Sequence, residues 1–116
     1  MYPSPKILAA AYEYIKTVPP VNKWKLPPAE EVEFRITKDR NVLGQHTTYR
    51  YSRREHIIYI SAARISFGDT LLRVLAHEMV HASLAEEGRN AVSHNKEFHS
   101  RAKELCKAMG WDEKDF

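Results

Sequence analysis

The chain has 116 residues, 43% hydrophobic and 28% charged, the balance of one ordinary globular domain. Four Gly and six Pro exclude a fibrous or low-complexity chain, and the single cysteine, Cys106, excludes an intrachain disulfide and a cysteine-built zinc finger. The formal charge of +3 is unevenly spread: residues 34–64 hold seven Lys/Arg against two acids, a local balance of +5.

In chain order, Ser4 is expected to cap a first helix with Pro5 at its opening position. Ile7, Leu8, Ala11, Tyr12 and Ile15 recur at helical spacing, and Pro19-Pro20 closes the segment. A connector with Trp24 and Pro27-Pro28 leads to Val32–Thr37, whose period-two alternation predicts a strand with one buried face. A turn-rich stretch from Lys38 to Gly44 follows. Thr47–Tyr51 and His56–Ser61 are rich in β-branched and aromatic residues, and Ser52–Glu55 between them predicts a hairpin. Asp69 is the expected N-cap of a helix from about Thr70 to Glu87, with Gly88 as its stop. After a polar loop, Arg89–Ser93, a last helix from about Asn95 to Met109 puts Phe98, Ala102, Leu105 and Met109 on one face, and Gly110 ends it. The expected fold is α+β: a small antiparallel three-stranded sheet packed on an N-terminal, a buried middle and a C-terminal helix.

The basic segment comprises Arg35, Lys38, Arg40, Arg50, Arg53, Arg54 and Arg64, interleaved with Tyr49, Tyr51, Tyr59, His46 and His56. Such a pattern suits nucleic-acid contact, with a solvated sheet face as the plain alternative. No run approaches the ~20 apolar residues that span a bilayer, and the opening Met1-Tyr2-Pro3-Ser4-Pro5 has no leader pattern. The expectation is a cytoplasmic protein without a membrane partner, nucleoid or nuclear association being compatible with the basic segment.

The middle helix is apolar nearly all round, yet it contains His77-Glu78-Met79-Val80-His81. Histidines four apart lie one helical turn from each other on one face, where two imidazoles can reach a single ion. The glutamate between them adjoins that face and can hold a water on the ion; this is the HExxH arrangement of zinc metalloproteases. Buried imidazoles and a carboxylate are costly unless something satisfies them. Catalytic zinc takes three protein ligands and keeps a fourth position for water, so a third ligand must come from elsewhere. The metzincin spacing is absent, because Leu84 and Glu87 stand where its Gly and third His would be. His94, His99, Glu97 and Glu104 are the downstream candidates.

The run Thr70-Leu71-Leu72-Arg73-Val74-Leu75-Ala76-His77-Glu78-Met79-Val80-His81-Ala82, followed by His94-Asn95-Lys96-Glu97-Phe98, resembles the SprT-like (Spartan-type) metalloprotease domain. That family carries HE-[LIM]-x-H and, about a dozen residues on, H-G-x-E-F, whose histidine is the third zinc ligand. The likeness extends back to about Val32. The resemblance implies a minimal zincin-like core that binds Zn²⁺ through His77, His81 and His94, with Glu78 as catalytic acid/base. It further implies an endopeptidase acting on proteins associated with DNA; the small size and missing accessory regions lead us to expect a stand-alone core directed by a targeting partner. Asn95 stands where the family usually has Gly, and one cysteine leaves no CxxC ribbon. The rival readings are a nucleic-acid-binding module with a closed structural zinc site using His99, and another HExxH hydrolase with Glu97 or Glu104 as third ligand.

Overall fold

The computed structural model describes residues 4–38, 40–41, 44–49, 52–61 and 68–116; for 48–49, 52–55 and 68–69 it describes the backbone. Helix α1 (Pro5–Lys16) opens as expected, with the Ser4 hydroxyl accepting from the Ile7 N–H at 3.2 Å. It buries Leu8, Tyr12 and Ile15; the Tyr12 ring meets Phe34 edge-on at 5.5 Å and its hydroxyl donates to the Pro27 carbonyl. Those contacts seat α1 on the first strand and fix the proline connector over it.

Three strands follow, β1 (Val32–Thr37), β2 (Gly44–Tyr49) and β3 (Ser52–Ser61), in the spatial order β1-β3-β2. The β2–β3 hairpin is antiparallel, pairing His46 with Ile58 and Thr48 with His56. β1 runs parallel to β3, pairing Phe34 with Ile58, so the small sheet is mixed rather than wholly antiparallel. Its cause is topological: the hairpin folds β3 into the middle, and the connection after β1 carries the chain across to the outer edge before it returns. The hairpin turn also differs from expectation, since Ser52–Glu55 belong to β3.

Helix α2 (Gly68–Glu86) packs on β2 and β3 with one side and on α1 and α3 with others. Leu71, Val74, Leu75, Met79, Val80 and Leu84 are all buried, as an all-round apolar helix requires. Asp69 lies inside this helix rather than capping it. The C-terminal stop is as expected: Gly88 takes φ +72°, a left-handed conformation open to glycine, and the Arg89 N–H reaches back to the Leu84 carbonyl. Helix α3 (Lys96–Met109) has Asn95 as its N-cap, accepting from the Phe98 N–H at 3.0 Å. Arg101 ties α3 to α2 through Ser83 and Glu87 and lies over the Trp24 ring. Among the described residues no helix is long and apolar enough to cross a membrane.

Candidate metal centre

Helical spacing sets the first part of the site. His77 and His81 stand one turn apart on α2, His81 only 7% exposed, while the loop after α2 brings His94 back over them. One ring nitrogen from each of His77, His81 and His94 lies within 4.8 Å of the others. His81 Nε2 and His94 Nε2 are 3.2 Å apart.

The outward nitrogens explain which atoms converge. A carbonyl can only accept, so His77 Nδ1–H donates to the main-chain oxygen of Phe116 at 2.6 Å, and His81 Nδ1–H donates to the Ala91 carbonyl at 2.5 Å. Both rings are thereby held with Nε2 as a bare acceptor, the tautomer a metal ligand needs. The 3.2 Å gap matches the edge of a tetrahedron of imidazole nitrogens about 2.0–2.1 Å from a shared ion, roughly 3.3 Å. Three imidazole nitrogens so placed could hold a metal ion, and an all-nitrogen set suits a borderline divalent cation of the Zn²⁺ kind.

Beneath the three imidazoles lies the buried ring of Phe98, with centroids 4.9 Å from His77, 4.7 Å from His81 and 4.2 Å from His94, the last pair stacked at 12°. Capping by Asn95 starts α3 one turn before that ring, which links the loop geometry to the seat of His94. Burial pushes the His77 imidazole down to about 4, with His81 and His94 adding to it against the Phe116 hydrogen bond. His81 is lowered by burial as well. Metal-free, the His77 ring is thus neutral at neutral pH, and the shift of His81 has the same sign.

Glu78 is 5% exposed, and burial raises its carboxyl to about 8 in the metal-free protein. It faces β2 at Gly44: a Cβ there would stand 3.2 Å from Glu78 Oε2 and 2.7 Å from Val74 Cγ1. Glycine is what lets the strand come this close to the carboxylate. Two adjoining hollows flank His77 and Glu78. The larger, a cleft of about 690 Å³, runs between β2 and the loop before α3, and the smaller, about 310 Å³, reaches Arg73 and Phe116.

A family model described as the SprT-like family matches residues 14–114. The chain belongs to the SprT-like family. No curated protein and no solved structure matches it. The matched span includes the HExxH helix and the His94–Phe98 element.

In this SprT-like domain the remaining candidates lie apart from the metal group. His99 is exposed and meets the His94 ring edge-on at 6.4 Å, Glu97 pairs with Arg89 at 3.4 Å, and Glu104 is exposed on α3. Of the basic residues, Arg35 is bound to Glu33 at 2.8 Å and to the Tyr59 hydroxyl at 3.2 Å. Lys38 and Arg40 are exposed near the β1–β2 connection. Arg50 and Arg64 lie outside the described residues, as do the side chains of Arg53 and Arg54 on β3. His56 is not a surface residue at all, being 0% exposed. Its place was readable, since it falls in the period-two phase of Ile58 and Ile60. The carbonyls of Ala91 and Phe116 carried no such signal, because any residue supplies a backbone oxygen.

Proposed function

We propose that the chain is a zinc-dependent endopeptidase. The observation that carries this reading is the convergence of three imidazole nitrogens, two of them fixed as acceptors by carbonyls, beside a buried carboxylate in an open cleft. His77, His81 and His94 hold the ion; zinc, when bound, acidifies a water and polarises a carbonyl. Glu78 takes the proton of the attacking water and delivers it to the departing amine.

β2 forms an outer strand of the sheet and its Gly44–Thr47 stretch lines the cleft. An extended peptide added along it would cross the centre in front of Glu78 with its main chain hydrogen-bonded. Such recognition of backbone suits an endopeptidase of unfolded or flexible protein segments.

Substrates associated with DNA form the finer part of the proposal, supported by the local charge of +5 over residues 34–64 and by the exposure of Lys38 and Arg40. The test of the reaction is Glu78→Gln loaded with zinc and assayed on unfolded casein beside the wild type. Retained zinc with cleavage lost by at least about a hundredfold is the expected result; an unchanged cleavage rate contradicts the assignment.

A further inference from the structure

A second polar chain enters the same cleft beside the metal group. His46 on β2 places its ring parallel to that of His81, at 8° and 6.5 Å between centroids, and lines the larger hollow. Its Nε2 lies 2.9 Å from His56 Nδ1, and His56 Nε2 lies 3.0 Å from Glu86 Oε2 at the end of α2. His56 is fully buried among the core residues of β3. Three polar groups in such a place are expensive to keep and rigid once fully hydrogen-bonded. Holding the sheet together does not need them, since apolar residues at 46 and 56 would continue the pattern of Ile58 and Ile60.

Anchored on the Glu86 carboxylate, which can only accept, and with one proton on each ring, the hydrogen bonds run in a single direction. The Glu86 carboxylate accepts from His56 Nε2–H, and His56 Nδ1 accepts from His46 Nε2–H. His46 Nδ1 is left as an acceptor on a ring whose orientation is fixed from behind. The hollow it lines also contains Arg89, which disfavours a cationic guest, and a carboxylate guest would bring no donor to the His46 acceptor.

We propose that His46 is a specificity-determining residue: the larger hollow receives a neutral substrate side chain that donates a hydrogen bond, Ser, Thr, Asn or Gln, beside the scissile bond. His56 and Glu86 are positioning residues that hold the His46 ring. The proposal rests on the endopeptidase reading and gives its site a substrate preference.

The test uses the zinc-loaded full chain and a random peptide mixture, with cleavage sites identified by mass spectrometry. Wild type should show Ser, Thr, Asn and Gln enriched at one position next to the cut by roughly three- to tenfold, the worth of one neutral hydrogen bond. His46→Leu should lose that enrichment while keeping its zinc, and His46→Gln, which retains an acceptor, should keep part of it. Equal enrichment in wild type and His46→Leu, or an apolar preference in wild type, overturns the proposal and leaves the peptidase reading standing. A zinc-loaded wild type that cuts no peptide overturns both. Nitrogen-15 NMR of the imidazoles supplies a readout independent of activity and of mutant folding: the Nε2–H form of His46 is expected, and an Nδ1–H form overturns the proposed acceptor.

Discussion

Burial keeps the Glu78 carboxyl protonated up to about pH 8 in the metal-free protein. Its folded value lies above the ordinary 4.5, so its stabilising effect is complete below about 4.5 and is lost as pH rises toward 8. At pH 7 that loss amounts to roughly 3 kcal/mol. Metal-free Glu78→Gln should therefore melt several degrees above metal-free wild type at pH 7 to 8, and the gap should close by about pH 4.5. The imidazoles act in the opposite sense. His77 and His46 are held near about 4 and about 3, below the ordinary 6.5, so their contribution is present above 6.5 and lost as pH falls through those values. Parallel thermal melts of the two chelated proteins across this range check both slopes; a constant offset between them contradicts the account of Glu78.

At the scale of the element, the centre depends on how closely β2 approaches α2 and on where α3 begins. Gly44→Ala puts a Cβ 2.7 Å from Val74 Cγ1 and 3.1 Å from the Tyr59 carbonyl, an overpacking expected to cost about 1–3 kcal/mol. Its melting temperature should fall, and cleavage should fall further than stability alone explains because Glu78 is the third neighbour. Asn95→Ala removes the cap of α3 at a cost of about 1 kcal/mol and loosens the seat of His94, so zinc affinity measured by competition with a chelator should drop with it. Much of this was legible. Histidines at a four-residue spacing in an apolar helix, Gly88 and Gly110 as stops, and Ser4-Pro5 as a start are local signals that no distant contact overrides. The parallel pairing of β1 with β3 was not legible, because no local residue encodes which strand of the following hairpin docks against β1. His56 was misplaced by composition, which set its neighbouring arginines above the two-residue phase that buries it.

Across the whole molecule, the metal and the fold are linked. Of the three imidazoles that could hold an ion, two come from α2 and one from the loop before α3, and the carbonyls that orient the α2 pair belong to the same loop and to the chain's last described residue. An ion bound across these segments stabilises the folded state alone, by about 2.7 kcal/mol at a hundred times its dissociation constant. Zinc should raise the melting temperature of wild type and leave that of His94→Ala nearly unchanged. Charge is a property of the same scale. If the +5 over residues 34–64 meets DNA, affinity for a duplex should fall steeply as salt rises, and Lys38→Ala with Arg40→Ala should flatten that slope. Absence of binding at low salt would assign the segment to a solvated face.

The measurement closest to the central claim is zinc per chain, by elemental analysis, in wild type, His94→Ala and His99→Ala purified side by side. The three-imidazole centre predicts about one zinc in wild type and in His99→Ala, and its loss in His94→Ala. Zinc retained in His94→Ala, or lost equally from both variants, would contradict it.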